Sequence, residues 1–154
     1  EDKIYRYRLD ANGLIFGNPT IIGSRGSGNG QFNFPQGIDV DAQGNFYVVD
    51  TRNHRIQKFN SKGNYQSQFG SFGRGAGQFT LPYGISVNNN RIFVSDPYNK
   101  RVQVFDLDGN FVTEFGRFDT GSGVAQFSLL GGLAVDDNYL YVASDRKIYK
   151  FSIL

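Results

Sequence analysis

The chain contains no cysteine, no methionine and no tryptophan, and it carries only one histidine and two glutamates among 154 residues. Without cysteine there is no disulfide framework, thiolate nucleophile, thiolate zinc cage or iron–sulfur site. A single histidine, His54, rules out multi-histidine metal sites and makes any Ser-His-Asp arrangement hang on one loop residue. No metal and no cofactor are expected. No apolar run approaches the ~20 residues that span a bilayer, and no secretory signal pattern stands at Glu1. The missing initiator methionine implies a chain that begins after processing or was cut from something longer. Helix formers are scarce too: six alanines stand against 14 asparagines and 20 glycines. That balance starves helices and feeds strands and turns. Charge is low at 19%, and its sum of +2 says little about partners. Aromatics at 16% argue against disorder. The class expected is all-β.

What is abundant is repetition. GQFNFPQGIDVDAQGNFYVVDTRNHRIQKFNSKGNYQSQFG at 30–70 is followed by GQFTLPYGISVNNNRIFVSDPYNKRVQVFDLDGNFVTEFG at 77–116 and by AQFSLLGGLAVDDNYLYVASDRKIYKFSIL at 125–154. Gln31, Gln78 and Gln126 are spaced 47 and 48 apart, and Phe59, Phe105 and Phe151 are spaced 46 and 46. A partial copy, KIYRYRLDANG, opens the chain within residues 1–23. Each full unit holds four short β runs, a to d, starting at 38, 46, 55 and 65 and again at 85, 92, 102 and 111. Gly44-Asn45, Lys62-Gly63 and Asp108-Gly109 supply turn chemistry between them. The b runs FYVV, IFVS and LYVA are apolar on both faces, as befits strands covered from both sides. Four antiparallel strands per unit at a period near 47, stacked face to face, describe a β-propeller.

The strings FPQGIDVDAQGNFYVVDTRNHRIQKF and LPYGISVNNNRIFVSDPYNKRVQVF resemble NHL repeats. The second unit keeps Pro82, Gly84, Ile85, Val87, Asp96, Asn99, Arg101 and Phe105 but has Lys100 in the histidine place. In the third, Leu130 replaces the proline, Ser144 stands in the aspartate place, and the b–c loop is two residues shorter. The resemblance implies a propeller, commonly six-bladed, used mainly for binding. The chain then reads as one propeller segment: a partial blade at 1–23, blades at 30–70 and 77–116, and an incomplete blade at 125–154. Thirteen strands make just over three blades, fewer than the ~4–8 of closed rings. Open ends expose apolar faces and strand edges. A longer propeller or a completing partner is therefore expected, including a second copy in a homo-oligomer.

Up-and-down strands put the b–c and d–a loops on one face of the disk and the a–b and c–d loops on the other. The first face collects Arg25, Arg52, His54, Arg74, Lys100, Arg101, Arg117 and Arg146, against Asp119 and Asp145. The second collects Asp10, Asp41, Asp106, Asp108, Asp136 and Asp137, against Lys62 and Arg91. With Tyr98, Phe72 and Phe118 nearby, the basic face is the candidate binding surface. Arg25, Arg52, His54, Arg74, Tyr98, Lys100, Arg101 and Arg117 are its candidate contacts. The reading is a non-catalytic scaffold that takes a protein or glycan there. The alternatives are RNA, which some NHL domains bind on such a face as the resemblance implies, and self-assembly as a building block. A competing structural role is open for the arginines, which would cover blade seams and pair with Asp50 and Asp96.

The recurring Asp-x-x-Asn-x-Arg pattern (Asp50, Asn53, Arg55; Asp96, Asn99, Arg101) suits scaffolding, because a catalytic site is normally single. The glycine-rich stretches GSRGSGNG, GSFGRGAG and GRFDTGSG lack phosphate-loop spacing and read as inter-blade connections. Asp106-Leu107-Asp108-Gly109-Asn110 reads as a hairpin turn rather than a calcium loop. Asp39 and Asp41 lie near the channel mouth, where some propellers hold an ion. Relatives of the fold that are lyases or lactonases draw histidines and carboxylates from several blades, and one histidine does not assemble such a site. The absence of cysteine and the Gly/Asn-rich repeats lean towards a secreted or cell-surface protein, with no membrane span.

Overall fold

The computed structural model describes residues 2–88, 90–116 and 127–153. Among them, β1 (Ile4–Leu9) pairs with β2 (Ile15–Ile22), and β3 (Ser24–Arg25) lies parallel to β4 (Gln31–Phe32). The first full blade orders β5 (Pro35–Val40), β6 (Phe46–Asp50), β7 (Arg55–Phe59) and β8 (Tyr65–Phe69) from inside to outside. The second orders β9 (Ile85–Val87), β10 (Ile92–Asp96), β11 (Arg101–Phe105) and β12 (Phe111–Phe115) in the same way. The last sheet has three strands, β13 (Leu130–Val135), β14 (Tyr139–Ser144) and β15 (Lys147–Ser152). One-turn 3₁₀ segments, Thr51–Asn53 and Pro97–Asn99, join strands b and c in the two full blades. Setting aside the two-residue pair β3 and β4, the strands group as 2, 4, 4 and 3.

Local chemistry sets these boundaries. Asp10, Asp41, Asn60 and Asp106 each accept the main-chain amides two and four residues further on at 2.9–3.0 Å. The third residue after each is a glycine at positive φ, so one Asx turn design closes four hairpins. Asp106 is thereby spent on a turn, in line with the hairpin reading. Strand d ends at Gly23, Gly70 and Gly116, and Phe32, Phe79 and Phe127 press against each of these glycines.

Those phenylalanines are fully buried and help fill the seams between sheets. Tyr47, Val49 and Ile56 of one blade meet Ile85, Val87, Ile92, Val94 and Phe105 of the next. On the other face of that blade, Phe93, Val102 and Val104 meet Leu140 and Val142. Strands β6 and β10 are accordingly buried on both faces, as expected for b strands. β14 is not: its residues alternate between buried and accessible, because only one side of the last sheet is covered among the described residues.

Candidate binding face

The repeat signature builds a polar clamp. Asp50 Oδ1 accepts the Asn33 amide at 2.7 Å, and Oδ2 accepts Asn53 Nδ2, Arg55 Nε and Gln57 Nε2 at 2.9, 2.8 and 3.1 Å. Arg55 then reaches the carbonyls of Gly28 and Gln31, and Gln57 also donates to Gln31. The next blade repeats the design. Asp96 takes the Thr80 amide, Asn99 and Arg101, and Arg101 holds the carbonyls of Gly75 and Gln78. The glycine-rich connections are therefore wound around a buried guanidinium. Arg101 also pairs with Glu114, where Arg55 has the neutral Gln68. Burial pushes the Asp96 carboxyl upwards, while Asn99, the Thr80 amide and Arg101 pull it back.

In the last sheet Asp145, not the residue in the aspartate place, does this work. Its carboxylate accepts the amides of Ser128 and Leu129 and the hydroxyls of Ser128 and Ser144. The Ser128 hydroxyl is the first of these donors, and together they hold Asp145 down at about 2. The two-residue deletion in the b–c loop moves the aspartate one place along and keeps its task.

The b–c turns are bonded to the d–a connections, so both lie on one face: Arg52 N donates to Asn33 O and Asn53 to Gly26 O. Of the sequence-designated contacts, Arg52, Arg74, Tyr98 and Lys100 are exposed there. Arg25 is exposed and ion-pairs with Asp2 at 3.7 Å. Arg101 is corrected out of the set: it is 0% exposed, enclosed by Asp96, Glu114 and two carbonyls. His54 is a half-buried strut, its Nδ1 accepting the Leu81 amide at 3.1 Å and its ring edge-on to Phe72 at 4.9 Å. Arg117, with Phe118 and Asp119, lies outside the described residues.

The sequence reading missed part of this face. Phe34 is 48% exposed, held at φ 57, with the Arg52 guanidinium 4.8 Å over its ring. Leu81, the matching residue before the second proline, has φ 52. The 47-residue spacing of these pre-proline positions was the available signal. Leu129 is 75% exposed and Lys147 is exposed beside Arg146. Tyr98, Lys100, Leu129, Arg146, Lys147 and Ile148 line a cleft of about 800 Å³ between the b–c turns of neighbouring sheets. On the opposite face Asp39 and Asp41 are occupied: Asp39 accepts the Val87 amide of the next inner strand at 2.7 Å, and Asp41 closes its turn. Among the described residues no group of three or more His, Cys, Asp or Glu side chains is placed to hold a metal ion.

A family model of the NHL repeat matches residues 32–59, and a 6-bladed β-propeller model matches residues 81–154. The chain carries NHL repeats of a β-propeller. Protein brain tumor of Drosophila melanogaster is 47% identical over 49 residues, which is 32% of this chain and 5% of that protein. The B-box type zinc finger protein ncl-1 of Caenorhabditis elegans is 45% identical over 47 residues, covering 30% of this chain and 6% of that one. The chain thus spans a small fraction of the length of these curated relatives. A chain in a nidogen/laminin complex superposes with a TM-score of 0.72 at 19% identity, covering 98% of this chain and 54% of that one. A streptogramin B lyase superposes at 0.60 with 18% identity, covering 99% and 48%. At these identities the superpositions show the propeller fold. In this NHL chain the Asp, Asn and Arg of the signature all point into the scaffold, and the residues between them, Arg52, His54, Tyr98 and Lys100, differ from blade to blade.

Proposed function

We propose that this NHL segment is a non-catalytic binding module that takes a protein partner on its b–c/d–a face. The observation that carries the reading is the exposure there of large apolar side chains: Phe72 at 68%, Tyr98 at 70% and Leu129 at 75%. An exposed tyrosine and leucine lining a cleft, with charge at the rim and Phe72 exposed elsewhere on the face, are the composition of an interface centre. Burial of Arg101 and pairing of Arg25 reduce the cationic character inferred from the letters alone. The NHL relatives and the propeller from a protein complex support a binding role, and the lyase likeness rests on fold alone. A secreted or surface location remains part of this proposal, from composition.

A random peptide library displayed on phage and panned against the chain tests it. Selected peptides should lose about tenfold or more in affinity on Tyr98→Ala, with a shallow salt dependence. Failure to select any peptide that depends on Tyr98 or Leu129 would refute the reading. RNA is the second reading, favoured by Arg52, Arg74, Lys100, Arg146 and Lys147 on the same face. It requires oligouridylate affinity that falls about 10²-fold between 50 and 200 mM salt and weakens on Lys100→Glu.

A further inference from the structure

At three seams between neighbouring sheets, the main-chain amide just before the inner strand is taken by a side chain. Phe34, Leu81 and Leu129 hold this place, 47 and 48 residues apart. Asp2 Oδ1 accepts the first amide at 2.7 Å, His54 Nδ1 the second at 3.1 Å, and Asp145 Oδ1 the third at 2.9 Å. Asp2 stands where His54 does one blade later. Ile4 and Ile56, two residues after them, make the same pairing, with Ile22 and Phe69, the residues before Gly23 and Gly70. Lys100 holds that place at the third seam, and an ammonium accepts no hydrogen bond. There the acceptor comes instead from Asp145, in the same sheet as the amide. Two seams are thus held by carboxylates and one by an imidazole, that of the sole histidine.

The middle amide is the one whose surroundings depend most on its acceptor. Leu81 has φ 52 and precedes Pro82, a left-handed backbone that neither a leucine nor a pre-proline residue favours. One blade earlier the ladder begins at Pro35, which pairs with Asp50, whereas β9 begins only at Ile85. Residues 81–84 are held by single bonds instead. Leu81 donates to His54, the Tyr83 amide to the Ser95 carbonyl at 3.0 Å, and the Gly84 amide to the Ser95 hydroxyl at 2.7 Å. An imidazole that accepts at Nδ1 is neutral and carries its proton on Nε2. A proton taken from solvent adds to that same Nδ1 lone pair and sets an N–H against the Leu81 N–H. Imidazole is the side chain whose charge ordinarily changes between about pH 5 and 8, while a carboxylate goes on accepting throughout that range. The charged groups of the elements packed around His54 are Asp50, Arg52 and Arg55 on its own turn, Arg74 on the connection that carries Phe72, and Asp96 with Arg101 behind Leu81. Both carboxylates are clamped, Asp50 by Arg55 and Asp96 by Arg101.

We propose that His54 is a proton-controlled latch on the seam between the two full blades. Neutral, it pins the Leu81 amide and the start of the second blade's inner strand. Protonated, it releases residues 81–84, while the seams closed by Asp2 and Asp145 hold. Both blades at this seam are four-stranded, so the latch is an internal joint. The switch reaches the b–c/d–a face, because the imidazole also backs Phe72 edge-on at 4.9 Å. It does not rest on the partner proposed for that face, since the latch is read in the unbound chain.

Amide hydrogen exchange read by NMR on the 154-residue chain tests it, with the ring signals of the one histidine reporting proton uptake directly. From about pH 7.5 to about pH 5.5 the Leu81 protection factor should fall about tenfold or more, in step with the His54 ring signals, while that of Leu129 holds. The Phe72 ring signals should shift with the same midpoint. His54→Asp installs the acceptor of the other two seams and should keep Leu81 protected across the same range. The proposal is overturned if Leu81 keeps its protection while His54 takes up its proton, if Leu129 loses as much, or if His54→Asp is as acid-sensitive as the unsubstituted chain. It is equally overturned if His54 stays neutral until the whole chain unfolds, because an imidazole that takes no proton in the folded state switches nothing.

Discussion

Replacing Arg101 with methionine should be among the most damaging single changes in this chain. The guanidinium is fully buried, donates to Asp96 at 2.9 Å and to the carbonyls of Gly75 and Gln78, and pairs with Glu114. Its removal strands two carboxylates and two carbonyls of the glycine-rich connection. Breaking a buried pair by deleting one partner costs about 3–5 kcal/mol, against a typical total stability of about 5–15 kcal/mol. Arg55→Met performs the same operation one blade earlier, but there the third partner is the neutral Gln68. It strands one carboxylate, Asp50, and should cost less by about 1 kcal/mol or more. Lys100→Glu, one residue away and exposed, should stay within about 0.5 kcal/mol. Urea unfolding followed by circular dichroism and tyrosine fluorescence measures all three, and Arg101→Met/Glu114→Gln should recover part of the loss. If Arg101→Met costs no more than Lys100→Glu, or no more than Arg55→Met, the buried-clamp argument is wrong.

Other outcomes follow from the same structure. Gly70→Ala should cost about 2–4 kcal/mol, because a Cβ there would sit 2.6 Å from Phe79 on a backbone at φ 97. Gly77→Ala, at φ 73 with nothing within 4 Å, should cost only the conformational part, about 1–2 kcal/mol. A comparison of their denaturation midpoints separates strain from clash. Asp145 at about 2, with Asp106 and Asp136 also held below the usual carboxylate range by turn donors, sets the acid behaviour. Folded-state pKa values below the unfolded ones contribute stability above about pH 4 that is lost as pH falls towards about 2. Asp145→Asn should flatten that slope, and an unchanged acid limb in the melting temperature would contradict the assignment. The Tyr47 phenol is pushed well above its ordinary value by burial and then by Asp41. Stability should therefore fall above about pH 10, where the unfolded chain ionises and the folded phenol does not. Tyr47→Phe should remove that part of the alkaline loss.

The strands and turns were legible because the signals that form them are local. Alternation, β-branched runs and the Asx-x-x-Gly turns operate within five or six residues, and they marked β6 to β8 and β9 to β12 nearly to the residue, whereas β5 begins at Pro35, three residues before the run read from Ile38. The clamp was half legible. Repetition of Asp, Asn and Arg pointed to scaffolding, while the same Arg101 also counted as a surface cation. A one-letter string does not say whether a guanidinium faces water. Gln57 and Gln103 recur 46 residues apart and complete the clamp, but glutamine in a strand carries no strong local signature.

The sequence by itself determined the repeat, the strand grouping and the propeller class, because burial period and turn chemistry are written residue by residue. Only the tertiary structure decided which basic residues are available to a partner. Arg55 and Arg101 are hidden by connections that fold back from 23–27 residues away, whereas Arg52 and Lys100, their near neighbours, stay in water. It also showed that Asp145 inherits the work of the missing aspartate. Those facts depend on which main-chain groups a long-range fold brings within 3 Å, and no local pattern encodes that distance.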